Sequence, residues 1–450
     1  MTSDSSPCAL SPLLSPADCR SADLMAAFTR FPEEFLAYHP GYAQVRPALL
    51  PLMVSKSLAR RIWRATATVL AQFRQIPRLR FEGDLVAWMR ALGYSEDERT
   101  WLQTMTDSQS LKIATSFARA DFVIGADGPR LVEVNVGPTI GGIGVMDRYS
   151  DVFETVCKEM IGGRLAKRIS MPRPAALWSR ILRRLTYSQE PIGKGLRIAL
   201  VVANEEADIP HPHEAAWYLR REGITVDIVR IDGLRFRGTR AETPSGSVDV
   251  VYACFTYDQL RTPVYRQFAE RAMACQQAGG PLYISPPVFT LFGNKAMLAY
   301  LANDTEPANS SLLLKTRRFE PELYAFASTN RARLVLKPSI GYGGDGVVVG
   351  ADCTPLIWKE TLDSASEAQG TCILQDYVEP APILMPTSEG SVPYYFGIGC
   401  LAFGGRFGGL LLRQIPATTR GVTNCKQGAT FAAACVVDDG YLAGKTAVRE

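Results

Sequence analysis

The sequence has few histidines and no long apolar run. Three histidines and ten cysteines occur in 450 residues, with no C-x-x-C pair and no His/Cys spacing typical of zinc. The pair in His211-Pro-His213 is more typical of a polar loop than of a metal site. No apolar stretch reaches the roughly 18 residues of a transmembrane helix. The first twenty residues contain Asp4 and no basic residue before Arg20, unlike a signal peptide. We therefore expect a cytoplasmic protein with free thiols.

The chain also lacks a strong excess of charge. Its 49 basic and 45 acidic residues give a net charge of +4, too small a field to attract nucleic acid or a membrane surface. Hydrophobic residues make up 47% of the chain, which excludes intrinsic disorder. At roughly 150 residues per domain, we expect about three structural units. Any anion must then be bound by a local site.

Helical patterns dominate the first hundred residues after a loose terminal arm. Apolar spacing predicts a helix bracketed by Pro51 and Pro77, and a second helix over 85–92. Ser95 and Glu98 form a capping-box pattern that begins a third helix. These patterns indicate packing rather than chemistry.

Strands and helices alternate between residues 195 and 287. This alternation predicts a small α/β unit with a mostly parallel sheet. The first strand runs into Asn204 without a glycine, which disfavours binding of NAD or FAD. From residue 292 onward the chain is mostly strands and glycine loops. The fold class predicted is α/β (α+β).

The first segment that could carry chemistry is Glu133-Val-Asn135. Asp127-Gly128 predicts a tight hairpin turn before it, and strand alternation places Leu131, Glu133 and Asn135 on one face. Val132, Val134 and Val136 then form the opposite, core-facing side. A carboxylate and an amide oxygen at i and i+2 suit Mg²⁺, which takes few protein ligands plus phosphate oxygens. Ordinary polar alternation on a half-exposed strand is the alternative.

The second segment runs from 334 to 350 and combines a lysine with glycines. Lys337 ends an apolar strand, and Gly341, Gly343, Gly344 and Gly346 follow before another β-branched run. Backbone amides of such a loop can hold phosphates while the lysine supplies charge. The glycines also fit G-x-G-x-x-G, but that fingerprint requires a following helix. The pattern therefore predicts a strand–loop–strand phosphate flap.

Two further segments complete the set. Gln375, Asp376 and Val378 follow an apolar strand and can line an adenine slot, with a carboxylate for the sugar. Arg413 ends another strand, near a small-residue loop with Gly428 and Ala429, where it can stabilise a developing phosphoryl charge. A surface arginine is the alternative for Arg413.

Together these segments resemble the ATP-grasp superfamily. Because Glu133-x-Asn135 precedes the other motifs, their order is similar to that of the circularly permuted eukaryotic-type glutathione synthetases and related ATP-dependent amide and peptide ligases. Lys295 resembles the family's upstream nucleotide lysine. The resemblance implies an ATP-grasp fold with permuted motif order and an inserted small parallel α/β domain. The units expected are an arm at 1–20, a helical and metal-strand region at 21–192, the insertion at 193–290, and a nucleotide-binding and catalytic lobe at 291–450.

The resemblance implies ATP-dependent carboxylate–amine ligation through an acylphosphate. It assigns Mg²⁺, or alternatively Mn²⁺, to Glu133 and Asn135. The ATP-binding residues are Lys295, Lys337, Gly343, Gly344, Gly346, Gln375, Asp376 and Val378; the catalytic ones are Lys337 and Arg413; the substrate-binding ones are Arg119, Arg261, Gly428 and Ala429. The partners expected are amino-acid-like or peptide-like carboxylate and amine molecules, with no nucleic acid and no membrane. A homodimer is left open.

One departure from the family pattern leaves the function open. Gly341 stands where the family's flap has a metal-binding glutamate, and Asp121 and Asp345 are the candidates for a replacement. Two alternatives to a ligase remain. One is an ATP-grasp kinase or phosphotransferase; the other is a nucleotide-binding protein without catalysis.

Overall fold

The computed structural model describes residues 10–12, 48, 52–160, 169–187, 195–206, 210–301, 312–368, 370–387, 390–419 and 428–441. The strands are β1 (Leu10–Pro12), β2 (Leu52–Ser55), β3 (Phe117–Gly125), β4 (Gly128–Val136), β5 (Ile169–Ser170), β6 (Arg197–Val202), β7 (Thr225–Arg230), β8 (Arg235–Arg237), β9 (Arg240–Thr243), β10 (Gly246–Ser247), β11 (Val250–Cys254), β12 (Leu282–Tyr283), β13 (Thr316–Arg318), β14 (Leu334–Pro338), β15 (Val348–Val349), β16 (Cys372–Asp376), β17 (Ile383–Thr387), β18 (Gly390–Phe403), β19 (Arg406–Pro416), β20 (Thr430–Ala433) and β21 (Cys435–Val437). The α-helices are α1 (Lys56–Phe81), α2 (Leu85–Ala91), α3 (Glu96–Thr104), α4 (Ser108–Ala114), α5 (Val145–Met160), α6 (Pro174–Thr186), α7 (Pro210–Arg221), α8 (Tyr257–Leu260), α9 (Pro263–Gln277), α10 (Phe289–Gly293), α11 (Tyr324–Thr329) and α12 (Pro355–Glu367). The mixture of sheets and helices agrees with the predicted α+β class.

The central sheet joins two distant parts of the chain. Its strands lie in the order β20-β19-β18-β3-β4, all antiparallel, and β17 also pairs with β18. The predicted hairpin at Asp127-Gly128 is confirmed as the turn between β3 and β4. In the register of β18, Asp121 lies opposite Gly399, while Arg413 lies opposite Gly397. The sheet therefore brings polar residues of its first hairpin beside those of its last strands.

A β-bulge changes the predicted alternation of β4. The register shifts so that Asp121 pairs with Glu133 but Phe122 pairs with Leu131, which leaves Val132 as the extra residue. Leu131 is 2% exposed and belongs to the core with Val134, while Val132 lines a cavity beside Glu133. The prediction that Leu131 shares the face of Glu133 and that Val132 packs in the core is therefore wrong.

The predicted parallel sheet is confirmed between residues 197 and 283. Its order is β12-β11-β6-β7, and every pairing is parallel. The predicted polar loop at 211–213 is wrong, because this segment forms the first turn of α7. Prolines are tolerated in a first helical turn, where backbone N–H groups have no partner within the helix.

A small antiparallel sheet follows, in the order β13-β16-β14-β15. The strand predicted after the glycine loop is confirmed as β15, which pairs with β14. This sheet packs with α11 and α12 on a core separate from the main one. Its buried members are Phe319, Ala327, Leu334, Leu336, Trp358, Leu362, Ala365 and Leu374. The segment thus forms a lobe with its own packing.

Four helices occupy residues 56–114; the sequence predicts the first three, and α4 is an additional one. The capping box of Ser95 and Glu98 is confirmed at the start of α3. Pro77, expected to end the first helix, lies inside α1, and beyond it Phe81 packs against the core with its ring 5.3 Å from that of Tyr300. The expectation of a loose arm is wrong for Leu10–Pro12, which pairs with Leu52–Val54. The remainder of 1–20 lies outside the described residues.

Neither a membrane helix nor a disulfide occurs in the described ranges. No helix there is long and apolar enough to cross a bilayer. The six cysteines that the structure describes are free thiols, and Cys275, Cys400 and Cys435 are buried. Burial raises the pKa of the Cys400 thiol to about 12, which makes this group a packing residue rather than a nucleophile.

Candidate functional site

Two cavities meet between the central sheet and the small antiparallel sheet. The first cavity has about 1080 Å³ of open space and lies between β3, β4 and β19 on one side and β14, β15 and β16 on the other. The second cavity has about 860 Å³ and extends toward α8 and α10. Asp121, Glu133, Gly341 and Arg413 line both cavities. Groups from three distant segments, the β3–β4 hairpin, the glycine loop and β19, therefore converge at this junction.

Asp121 on β3 is the centre of the junction. Its carboxylate, 4% exposed, accepts hydrogen bonds from Arg119 Nε at 2.7 Å and Arg119 Nη2 at 2.9 Å. Arg413 Nη2 lies 2.8 Å from Asp121 Oδ2, and Asn135 Nδ2 donates to the same oxygen at 3.0 Å. Burial acts to raise the pKa of Asp121, but Arg119 and Arg413 outweigh it, so the pKa is lowered. The aspartate stays ionised and fixes both guanidinium groups.

A glycine on the neighbouring strand makes room for this arrangement. A Cβ atom at Gly399 of β18 would lie 2.7 Å from Arg119 Cδ and 3.0 Å from Asp121 Oδ1. Arg413 Nε is buried, and no hydrogen-bond partner for it occurs among the described residues. A buried N–H donor without an acceptor is uncommon in folded proteins. An anionic ligand at the junction would supply that acceptor.

Two buried lysines face the junction from the opposite side. Lys295 Nζ lies 3.2 Å from Glu133 Oε1 and donates to the carbonyl of Gly341 at 2.8 Å. Lys337 Nζ donates to Gln375 Oε1 at 2.6 Å and to the carbonyl of Val132 at 3.1 Å. Burial lowers the pKa of Lys337 to about 8, assisted by the charge of Lys295 and opposed by that of Glu133. Lys337 thus remains mostly charged at neutral pH.

The glycine loop covers the junction. Gly344 lines the first cavity and Gly343 the second, so both lie at the site. Gly346, with φ of +70°, lies in neither lining; a Cβ there would contact Pro338 Cγ at 2.7 Å. The backbone N–H of Tyr257 donates to the hydroxyl of Tyr342 at 2.8 Å. The loop is therefore tied to the start of α8, next to the parallel sheet.

The far end of the first cavity contains the predicted adenine segment. Gln375, Asp376 and Val378 all belong to its lining. The Gln375 side chain accepts from Lys337 and donates to Thr316 Oγ1 at 2.9 Å, so its amide links the lysine to β13. Asp376, with a side chain 45% exposed, lies 3.6 Å from Arg317. Its carboxylate is accessible from the cavity.

Three predicted residues lie away from the junction. Arg261 lines neither cavity; its Nε lies 3.0 Å from Glu98 Oε1, and its guanidinium stacks over Tyr257 at 5.7 Å. Gly428 and Ala429 precede β20 and are also absent from both linings. Nothing in these contacts supports a substrate-binding role for the three residues.

The oxygens of Glu133 and Asn135 are suited to a hard cation. Because Asn135 donates through Nδ2, its Oδ1 is available as a ligand, and Glu133, 28% exposed, faces both cavities. The part of the chain that the structure describes holds no group of three or more His, Cys, Asp and Glu that could bind a metal. Asp121 is engaged by two arginines, while Asp345 lines the first cavity. The donor set therefore fits Mg²⁺ held by few protein oxygens together with phosphate oxygens.

The sequence analysis did not predict the structural role of Asp121 as an ion-pair partner, or that of Gly399 in leaving space for the pair. The alternation Arg119-Ala-Asp121 places both charges on one face, and an isolated glycine inside a strand indicates close approach of another group. These two signals together would have identified the ion pair and its space. The part that Tyr257 plays in holding the loop has no comparable signal.

Comparison with known proteins shows the fold of this chain. No protein-family model matches it, and no curated protein matches it in sequence. Among solved structures, a glutathione synthetase-like effector (GSS30) from Globodera pallida, determined in its apo form, is similar with a TM-score of 0.58 and 14% identity. The match covers 94% of this chain and 98% of the effector. The chain therefore has a glutathione synthetase-like fold, and the predicted relationship is confirmed at the level of the fold.

A second solved structure is less similar. It is a provisionally named gamma-glutamylcysteine synthetase from Methylobacillus flagellatus, with a TM-score of 0.41 and 13% identity. This match covers 78% of the chain and 83% of the other protein.

Proposed function

We propose that this protein is an ATP-dependent carboxylate–amine ligase that forms an amide or peptide bond through an acylphosphate. The observation that carries the proposal is the junction of the two cavities, where four cationic side chains surround two carboxylates. The cations are Arg119, Lys295, Lys337 and Arg413, and the carboxylates are Asp121 and Glu133. Positive charge is in excess where the two cavities meet, while Asp345, Asp352 and Asp376 line only the first cavity. A cationic junction of this kind suits a phosphate chain and a second anion.

The first cavity is the proposed ATP site. Gln375 and Val378 flank the adenine, and the exposed carboxylate of Asp376 binds the ribose hydroxyls. Lys295, Lys337 and the glycine loop hold the phosphates. This placement agrees with the lining, since the segment 375–378 lies in the same cavity as both lysines. Backbone amides of the loop add donors to the charge of the lysines.

Glu133 and Asn135 are the proposed ligands of Mg²⁺, with Mn²⁺ as the alternative ion. When bound, the ion neutralises charge on the phosphates. This chain's own residues orient the site around it: Asp121 holds the amide of Asn135 so that Oδ1 remains available, and Lys295 fixes the carboxylate of Glu133.

The proposed reaction has two steps. A carboxylate oxygen of the acid substrate attacks the γ-phosphorus, and the bond to the bridging oxygen of ADP breaks. The lone pair of the amine then attacks the acyl carbon, and phosphate leaves with the former carboxylate oxygen while the nitrogen loses a proton. Arg413, with its unpartnered Nε, stabilises the transferring group, and Arg119 helps to position the acid. Positioning and charge neutralisation are sufficient for such chemistry.

We also propose the domain boundaries of the sequence and the permuted motif order. Glu133 and Asn135 on β4 precede the lysines, the loop and Arg413 along the chain, although all of them meet at one junction. Every strand of the parallel sheet comes from 197–283, which supports its description as an insertion at 193–290.

A nucleotide-binding protein without catalysis is the second candidate. The observation that favours it is the engagement of Asp121 by Arg119, Arg413 and Asn135, since this aspartate then cannot replace the missing flap glutamate as a metal ligand. Asp345 in the loop remains as a replacement. A kinase that stops at a phosphorylated product is the third.

ADP release separates these functions. The wild type is incubated with ATP, Mg²⁺ and pairs drawn from amino acids and dipeptides, and products are identified by mass spectrometry. ADP release that requires both an acid and an amine supports the ligase, whereas release with the acid alone indicates the kinase. If ATP binds but no combination yields ADP, the ligase proposal is wrong and the non-catalytic function stands.

A pair of arginine variants tests the junction. We expect Arg413→Gln to lower kcat by roughly 100-fold or more with a smaller effect on ATP affinity, because one charge-stabilising donor in a protected site is worth this much. Arg406→Gln is the matched control, since Arg406 lies on the same strand and is exposed. Equal activity of both variants would contradict the proposal that Arg413 stabilises the transferring phosphoryl group.

A further inference from the structure

A third cavity adjoins the second and differs from it in chemistry. It has about 830 Å³ of open space and shares Thr139 and Ile140 with the second cavity. Val202 and Cys254, which end β6 and β11, belong to its lining. The cavity thus lies at the carboxyl edge of the parallel sheet, where open parallel sheets commonly bind their ligands.

No charged residue occurs in the described lining of this third cavity. Its walls include Ile140, Ile143, Trp178, Leu200 and Val202. Two of its few polar groups are already engaged: Tyr252 Oη donates to the carbonyl of Pro138 at 2.8 Å, and Thr256 Oγ1 accepts from the backbone of Gln259. A charged ligand group would lose its hydration here without compensation, whereas an apolar group would gain by burial.

The neighbouring junction has the opposite character. Arg119, Asp121 and Arg413 line the second cavity, and only the Thr139–Ile140 segment is common to both spaces. A molecule with a carboxylate at one end and an apolar side chain at the other would match both chemistries at once. Pockets of this kind bind through apolar walls and orient the ligand by few polar groups.

We propose that the third cavity binds the bulky apolar side chain of the ligase substrate, a branched aliphatic or aromatic amino acid or its acyl equivalent. The identification of the occupant as a substrate rests on the proposed function. Its carboxylate lies toward Arg119 and Arg413, and its side chain passes Ile140 into the apolar space. The protein therefore selects against acidic and small side chains at this position.

The first test measures binding without turnover. Saturation-transfer NMR of the full chain with leucine, phenylalanine, aspartate and glycine is expected to show contact with the side chains of leucine or phenylalanine. The affinity for the better of these two should exceed that for aspartate or glycine by about 10- to 100-fold, since a few buried methylene groups give this discrimination. Equal or stronger binding of aspartate would overturn the proposal.

Two variants locate the bound side chain. Ala215→Leu fills the cavity from α7 and is expected to weaken leucine or phenylalanine binding about tenfold without changing ATP affinity. Ala325→Leu on the exposed surface of α11 is the matched control. If Ala215→Leu does not fold, Ile143→Ala enlarges the same cavity and should shift preference from leucine toward phenylalanine. Unchanged preference in a folded cavity variant contradicts the proposal.

Failure of this proposal is distinguishable from failure of the ligase function. If an acid–amine pair releases ADP but aspartate or glycine is preferred at this position, the ligase stands and the apolar site is wrong. If leucine binds to the wild type and binds more weakly to Ala215→Leu, but no acid–amine pair releases ADP, the apolar site stands and the ligase function is wrong.

Discussion

At Lys337, burial and neighbouring charges set the protonation state on which the proposed nucleotide binding depends. Burial lowers the pKa to about 8, while Glu133 and Asp121 act to raise it. The unfolded chain, with the ordinary value of 10.5, binds more protons between these two pH values. Lys337 therefore makes the unliganded protein more stable as the pH rises from about 8 to 10.5, and over the same range the lysine loses its proton and its charge.

ATP affinity should consequently fall at high pH. Bound phosphates favour the protonated lysine, so binding takes up a proton above pH 8 and weakens by about tenfold between pH 7 and pH 9. Isothermal titration calorimetry in buffers of different ionisation enthalpy measures both effects. Lys337→Met should bind weakly at every pH and lose this dependence, and Lys359→Met, exposed on α12, should behave as the wild type. A flat affinity profile in the wild type would refute the expected proton uptake.

Asp121 should be required for stability as well as for geometry. Asp121→Asn leaves two largely buried guanidinium groups with a neutral partner, so we expect the free energy of unfolding to decrease by about 3–5 kcal/mol. Urea denaturation measures this change. Asp438→Asn, whose side chain is 57% exposed and pairs with Lys56, should cost less than about 1 kcal/mol. Equal stability of the two variants would argue against the central position of Asp121.

Among the elements, β18 allows Arg119 and Asp121 to lie close against its backbone, because it has a glycine there. Gly399 lies opposite Asp121 and leaves no space for a methyl group beside Arg119. We expect Gly399→Ala to displace the arginine and to lower stability by about 1–3 kcal/mol, with weaker binding of the acid substrate. Urea denaturation and substrate KM measure the two effects. Gly195→Ala, where a Cβ meets nothing within 4 Å, should be nearly neutral. Wild-type KM in Gly399→Ala would contradict this expectation.

Element types could be predicted from the sequence, but register could not. Asp127-Gly128 and the flanking alternation predict the hairpin that carries Glu133 and Asn135, since turn chemistry and period are local. The bulge at Val132 depends on packing against the rest of the sheet, and no residue of β4 signals it. Pro77 fails as a helix end for a similar reason, because tertiary packing of α1 outweighs the loss of one backbone hydrogen bond.

The residues of the candidate site also differ in whether local sequence patterns can predict them. Lys337 and Gln375 occur near strand ends and the glycine loop lies between two strands, so their local pattern points to the cavity that contains them. Lys295 begins a short 3₁₀-helix, and Arg413 lies within β19, which continues to Pro416, so the prediction that Arg413 ends its strand is wrong. Arg261 has a similar local pattern, yet the fold pairs it with Glu98 on another helix. Which arginine reaches the junction is decided by strand order, and a single sequence does not reveal strand order.

On the scale of the whole molecule, the small antiparallel sheet should open independently. Its core is separate from the main cluster, and Leu362 at 0% exposure lies within it. We expect Leu362→Ala to destabilise this lobe by about 2–5 kcal/mol. Hydrogen exchange should accelerate over 316–376 while β3, β18 and β19 stay protected.

The matched control for this lobe is Ile357→Ala on the same helix, at 48% exposure, which should leave exchange unchanged. Uniform acceleration across the central sheet in Leu362→Ala would show that the two cores unfold together.

The pairing of β3 with β18 has a consequence for synthesis of the chain. Arg119 and Asp121 are synthesised well before Gly399 and Arg413, with which they pair or lie in contact. Until β18 is synthesised, the hairpin of β3 and β4 therefore has no partner strand on the edge formed by β3, and Asp121 lacks its contact with Arg413. Contacts of such long sequence separation form slowly. The proposed nucleotide site should therefore be incomplete in the nascent chain until β18 and β19 have been synthesised, and the open edge of β3 must be protected until then.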